Sequence, residues 1–95
     1  MKFETLTIHL GNGTHESHGA VVQPITLCTT FEHGNEGGML YSRDNNPNRH
    51  SLEQVLAAME KGEDAAAFSS GNAAGTAVYQ ALAPGSHIVA PDDMY

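Results

Sequence analysis

The hydrophobic pattern of this chain changes character near residue 50, and that break limits what the chain can fold into. Residues 1–48 carry little helical periodicity. Residues 5–10 (Thr-Leu-Thr-Ile-His-Leu) alternate weakly, the pattern of a strand. Gly11-Asn12-Gly13-Thr14 is a turn signal. Pro24 ends any helix and demotes any central strand. Residues 26–31 are β-prone but few, residues 33–38 form a Gly-rich loop, and Asp44-Asn45-Asn46-Pro47-Asn48 is a second turn cluster. A stretch of this kind buries too little apolar surface to offset its own ordering entropy. Residues 1–48 therefore read as an extended arm that needs something to lie against, and a neighbouring subunit is the natural candidate.

Residues 49–95 read differently. Ser51-Leu52-Glu53-Gln54 has the form of a capping box, with Ser51 as N-cap. Leu52, Val55, Leu56 and Met59 then fall at i, i+3, i+4 and i+7, one face of an amphipathic helix. Gly62 stands where a helix end favours a left-handed residue. Ala65-Ala66-Ala67-Phe68 is a short apolar run, Ser69-Ser70-Gly71-Asn72 a tight polar loop, and residues 73–82 an Ala-rich helical segment weakened by Gly75. Pro84-Gly85 stops that helix, and Ile88-Val89-Ala90 is a second apolar run. The order helix, strand, loop, helix, strand implies an α/β fold: a βαβ unit with a parallel sheet covered by helices.

Length, charge and cysteine usage narrow the function classes. The 95 residues allow one small domain. No run of about 18 apolar residues exists to span a membrane. Four basic against eleven acidic side chains, a formal charge of −7, argue against nucleic acid and anionic membrane as partners. The single cysteine, Cys28, excludes a disulfide framework within the chain. Met1-Lys2-Phe3-Glu4 lacks the pattern of a secretory signal, so the expected context is soluble, reducing and cytoplasmic, and the Asn12-Gly13-Thr14 sequon carries little weight.

Two places carry chemistry. The Ser69-Ser70-Gly71-Asn72 loop leads from a strand into a helix, where unpaired N–H groups and the helix dipole favour an anion such as phosphate and a glycine lets it approach. The same residues are equally an ordinary strand-to-helix turn with Ser and Asn as caps; the pattern is neither the Walker loop nor Gly-x-Gly-x-x-Gly. The other place is Tyr41-Ser42-Arg43. Arg43 can bind phosphate bidentately and Tyr41 can add a donor, or Arg43 can pair with a carboxylate such as Asp44 at the surface.

Taken together, the motifs resemble a family. Tyr41-Ser42-Arg43-Asp44-Asn45-Asn46-Pro47-Asn48-Arg49 followed by Leu52-Glu53 is similar to Tyr-Ser-Arg-x-x-Asn-Pro-Thr-Arg-x-x-Leu-Glu, a signature of the pyridoxal-phosphate-dependent enzymes of cysteine and methionine metabolism. Phe68-Ser69-Ser70-Gly71-Asn72-Ala73-Ala74 resembles Phe-Ser-Ser-Gly-Met-Ala-Ala, and Pro84-Gly85-Ser86-His87-Ile88-Val89 resembles Pro-Gly-Asp-His-Ile-Val. Asp93-Met94-Tyr95 resembles the start of Asp-x-Tyr-Gly-Gly-Thr, and Gly19-Ala20-Val21-Val22-Gln23-Pro24-Ile25 resembles Gly-Ala-Val-Val-Pro-Pro-Ile. The match runs through nearly the whole chain, in order.

The resemblance implies a pyridoxal-phosphate transferase of fold type I, with an aspartate-aminotransferase-like large domain beginning at residue 49 and the arm (1–48) against a neighbouring subunit of a homo-oligomer, a dimer of dimers. It implies elimination or replacement at the β- or γ-carbon of a sulfur amino acid or O-acylhomoserine. It places Tyr41 and Arg43 on the neighbouring subunit's cofactor phosphate, Ser70, Gly71 and Asn72 on their own subunit's phosphate, and Tyr95 on the pyridine ring. Asn72 stands for the usual Met, Asn48 for Thr and Ser86 for Asp, and residues 26–29 also depart, which bears on subfamily and substrate. The family's chemistry also needs a lysine to hold the cofactor. Only Lys2, at the terminus, and Lys61, at a helix end, are present, and neither fits that role. The catalytic lysine is thus expected beyond residue 95, with these residues incomplete as a catalyst. Two further readings use the same residues: a phosphate-binding or oligomerisation module without catalysis, and a metal site built on His15 and His18, for which surface histidines are the ordinary alternative.

Overall fold

The computed structural model describes residues 1–11 and 19–95. It holds three helices: α1 (Phe3–His9), α2 (Pro47–Met59) and α3 (Gly71–Gln80). The Asn12-Gly13-Thr14 sequon, most of the first turn signal and the His15/His18 pair lie outside the described residues.

The alternation at residues 5–10 does not make a strand, because those residues lie in or beside helix α1. Phe3, Leu6 and Leu10 also fit a helical spacing, and Leu6 and Leu10 are the half-buried ones. Glu4 in the first turn and His9 in the last suit the helix dipole. Helix α1 packs on α2, and Gly11, just beyond α1, lies against Ser51 of α2. Its φ is +77°, and a Cβ there would lie 2.7 Å from the Ser51 carbonyl oxygen. Both the backbone conformation and the space require glycine. Gly11→Ala is therefore expected to lower stability by about 2 kcal/mol, read by denaturant unfolding of the full-length protein and by loss of amide protection in α1.

Helix α2 starts earlier than the Ser51 box suggests. Asn46 is the N-cap, in extended conformation, and its side chain accepts a hydrogen bond from Asn48 N–H at 2.9 Å. Pro47 occupies the first helical position, where its missing N–H costs nothing. Ser51 and Gln54 are interior residues. At the other end Gly62 is not the left-handed residue. Lys61 is, with φ 56°. Gly62 N–H donates to Ala57 O at 2.8 Å and Lys61 N–H to Ala58 O at 3.3 Å, so the two residues close a Schellman motif around Lys61.

Residues 23–28 carry no regular secondary structure, and the chain beyond them folds back on itself. Phe31 N–H donates to Leu40 O (3.0 Å) and Ser42 N–H to Thr29 O (2.8 Å), with Thr30 and Tyr41 forming one antiparallel bridge. Asn35 ties the intervening loop by donating to Glu32 O and Met39 O and accepting from Met39 N–H. The arm is fastened to α2 by Asn48, whose amide accepts from Thr26 N–H at 2.7 Å and donates to Pro24 O at 2.6 Å.

No strand occurs among the described residues, so the expected βαβ unit and its parallel sheet are not formed. Residues 65–68 and 88–90 are present as chain without ladder partners. A strand exists only where a second backbone answers its N–H and C=O groups. In the first run two amides are answered by side chains instead: Ala65 N–H by Asp64 and Ala67 N–H by Glu53, each at 2.9 Å. Helix α3 begins at Gly71 rather than within the Ala-rich run, because Ser70 caps it. It ends at Gln80, two residues before Leu82. Beyond it, residues 83–86 make a type II turn with Pro84 and Gly85 central, φ +84° at Gly85, closed by Ser86 N–H to Ala83 O.

Among the described residues none is buried, and Ile25, Leu27 and Val89 are 84%, 88% and 93% exposed. The radius of gyration is 17.0 Å, against about 12 Å for a compact domain of this length. These elements therefore present their apolar faces outward, as layers that have not been covered.

Candidate functional site

The first turn of α3 leaves backbone donors free by local rules. Ser70 is extended (φ −159°, ψ 160°) and its Oγ accepts from Ala73 N–H at 3.1 Å. Ala74 N–H reaches Ser70 O at 3.1 Å. That leaves the N–H groups of Gly71 and Asn72, the first two helical residues, with no partner among the described residues. The Ser70 hydroxyl proton remains available as a third donor, because the oxygen is engaged as acceptor only.

These donors open onto a hollow of about 610 Å³ lined by Ser70, Gly71, Asn72, Gly75, Thr76, Tyr79, Met94 and Tyr95. The structure thus brings together four residues singled out in the sequence: Ser70, Gly71, Asn72 and Tyr95. Tyr95 is fully exposed. The reading of Gly75 as mere helix weakness missed its place. Gly71, Gly75 and Tyr79 lie four apart on one helical face, and a Cβ built at either glycine meets nothing within 4 Å. The glycines therefore leave a flat, open floor beside the donors. Tyr79, also missed, donates its hydroxyl to Met94 Sδ at 3.8 Å, tying that residue to α3. The i, i+4, i+8 spacing was the available signal.

Tyr41 and Arg43 are not at this hollow. They sit together on the turn before α2, with the Arg43 guanidinium 5.1 Å from the Tyr41 ring centroid, a cation–π distance. Both are exposed, and the guanidinium donates to no described residue. The surface pair with Asp44 is not formed. Arg43 lines a second hollow together with Asp44, Arg49, His50, Glu53 and the 64–68 segment. Lys2 and Lys61 line neither. Among the described residues no group of three or more His, Cys, Asp and Glu could hold a metal ion, and no helix is long and apolar enough to cross a membrane.

The residues that line the first hollow suit a phosphate ester joined to a flat ring: two backbone donors and a hydroxyl, with a side-chain-free floor beside them and an aromatic ring in the same lining. Residues 4–95 match the family described as Cys/Met metabolism PLP-dependent enzyme. The chain belongs to that family. It is 42% identical to cystathionine gamma-lyase of Saccharomyces cerevisiae over 98 residues, covering 99% of this chain and 25% of that protein. It is 46% identical to cystathionine gamma-synthase of Mycobacterium bovis over 96 residues, covering 96% of this chain and 25% of that protein. Its fold superposes on a solved methionine gamma lyase of Micromonospora echinospora with a TM-score of 0.83 at 38% identity, over 90% of this chain and 24% of that one. The family chain thus spans about a quarter of the length of the curated relatives it matches. These solved relatives place the three helices in the fold family of the pyridoxal-phosphate lyases.

Proposed function

We propose that these residues belong to a trans-sulfuration enzyme that uses pyridoxal phosphate to eliminate or replace a group at the β- or γ-carbon of cysteine, cystathionine, methionine or an O-acylhomoserine. The observation that carries this reading is the convergence of the free Gly71 and Asn72 N–H groups, Ser70 and Tyr95 on one hollow. Relatives named as γ-lyase, γ-synthase and β-lyase support the reaction class they share.

In this reading Gly71 and Asn72 donate their backbone N–H groups to the cofactor phosphate, and the α3 dipole adds to the attraction. Ser70 Oγ–H gives a third bond. Because the Asn72 contribution is a backbone one, its replacement of the family's Met leaves the site intact. Thr76 is turned inward, its hydroxyl donating to Asn72 O at 2.7 Å, and so steadies the first turn rather than binding the anion. Gly75 leaves room for the ring, and Tyr95 lies against its face and orients it. When bound, pyridoxal phosphate supplies an electron-withdrawing ring that stabilises negative charge at the substrate α-carbon. Neither lysine of this chain lies at the hollow, so the lysine that holds the cofactor comes from outside these 95 residues, and the residues are inactive without it.

Tyr41 and Arg43, exposed and not lining the first hollow, reach the cofactor phosphate of a neighbouring copy in a homo-oligomer, a dimer of dimers. The bidentate guanidinium then adds charge-assisted bonds that a single subunit lacks. Arg43→Ala is expected to raise the dissociation constant for pyridoxal phosphate about tenfold in the full-length protein, the scale of one charge-assisted hydrogen bond. Equilibrium titration of the apo protein checks this, and an unchanged constant counts against the role given to Arg43.

A further inference from the structure

We propose that Arg49 is a positioning residue: it holds the turn from Tyr41 to Asp44 in the shape that presents Arg43. The proposal rests on the reading that Arg43 binds phosphate. Arg49 is the third residue of α2. Its Nη1 donates to Ser42 O at 3.1 Å and Arg43 O at 3.3 Å, and its Nη2 donates to Asp44 O. One guanidinium therefore gathers three consecutive carbonyls. A rigid planar fork of donors holds these carbonyls from two separate nitrogens, whereas an ammonium is a single point on a flexible stem.

The rest of the turn is tied from other sides. Asp44 and Asn45 N–H donate to Tyr41 O at 2.9 and 3.0 Å. Ser42 Oγ donates to Cys28 O on the arm and accepts from the N-cap residue Asn46 at 2.9 Å. With its backbone held by Arg49, the Arg43 side chain is left to stack on Tyr41 and face outward.

The Arg49 guanidinium is engaged by these carbonyls and by a carboxylate. Its Nε lies 3.8 Å from Glu53 Oε1, one helical turn on. At that length and exposure the pair contributes little stability, but it offsets the charge. The same Glu53 oxygen accepts Ala67 N–H at 2.9 Å, three residues before the cap Ser70. One line of side-chain contacts thus runs from the Arg43 turn through Arg49 and Glu53 to the segment leading into the α3 anion site.

The test is a mutant cycle in the full-length protein, with apo protein titrated with pyridoxal phosphate and amide exchange followed at Asp44 and Asn45. Arg49→Met is expected to speed exchange at both amides and to raise the dissociation constant about tenfold. In an Arg43→Ala background the same change is expected to add less than about twofold, because Arg49 acts through Arg43. Should Arg49→Met fail to assemble, Arg49→Lys, which keeps charge and stem but not the fork, carries the same measurements with the same expectation. Unchanged exchange, or a full cost in the Arg43→Ala background, overturns the proposal. If Arg43→Ala itself leaves affinity unaltered, the phosphate reading of Arg43 fails, while faster exchange in Arg49→Met still supports the hold on the turn.

Discussion

Replacing Gly71 by proline is expected to weaken pyridoxal phosphate binding by about 10- to 100-fold, the loss of one hydrogen bond to a charged group, without unfolding α3. The two effects separate because of where Gly71 lies. It is the first helical residue after a capping serine, the position where proline is best accommodated and its fixed φ already suits the helix. Ser70 is extended, as a residue before proline must be. A Cβ at Gly71 meets nothing within 4 Å. Proline there removes the N–H and leaves the backbone path alone, and the smaller entropy of the unfolded chain is expected to raise stability by about 0.5 kcal/mol. Asn72→Met is the matched control: it changes the side chain and keeps the N–H, so affinity is expected to stay within about twofold, well inside the cost of one hydrogen bond. Equilibrium titration of the apo protein, read beside thermal unfolding, checks both. Full affinity in Gly71→Pro would remove the backbone N–H groups from the phosphate site.

That experiment bears on what the sequence could and could not disclose. Ser70 was legible as a cap because N-capping is a local rule: one side-chain oxygen and an N–H three residues on. The donors Gly71 and Asn72 follow from it. The start of α2 was misjudged for a related reason. Ser51-x-x-Gln54 satisfies a local pattern, but Asn46-Pro47 satisfies a stronger one upstream, with the side chain of Asn46 engaged and proline at the first position. Residues 5–10 show the weakness of short windows, since six residues fit two periods and packing on α2 decided between them. The strands were beyond local reading altogether. Ala65-Ala66-Ala67-Phe68 and Ile88-Val89-Ala90 have strand composition, but pairing depends on a second backbone, and Val89 at 93% exposure has none against it. The role of Arg49 was equally hidden: the motif places it after Asn-Pro-Asn, but only the folded turn brings three carbonyls to it. The second glycine of the site, Gly75, carried a propensity penalty in one dimension and a use in three.

Mixing two defective variants is expected to restore tight binding that neither shows alone. Suppose Arg43 of one subunit serves the phosphate held by Gly71 and Asn72 of its neighbour. Subunits carrying Arg43→Ala then keep an intact α3 site and lack the reaching arginine. Subunits carrying Gly71→Pro keep the arginine and lack a full α3 site. In a mixed pair one composite site receives both defects and the other receives neither. Random reassociation makes half of the pairs mixed, and one site in two is whole in each, so about a quarter of the sites should bind pyridoxal phosphate with wild-type affinity. The lining of the hollow argues for this arrangement: Tyr41 and Arg43 form no part of the surface that gathers Ser70, Gly71, Asn72 and Tyr95. The measurement is a biphasic titration of the reassociated mixture, with each variant dissociated and reassociated alone as reference. If both residues served the same subunit's cofactor, every site in the mixture would keep one defect and no high-affinity phase would emerge. A quarter-amplitude tight phase therefore places the arginine across the subunit boundary, and its absence returns Arg43 to its own chain.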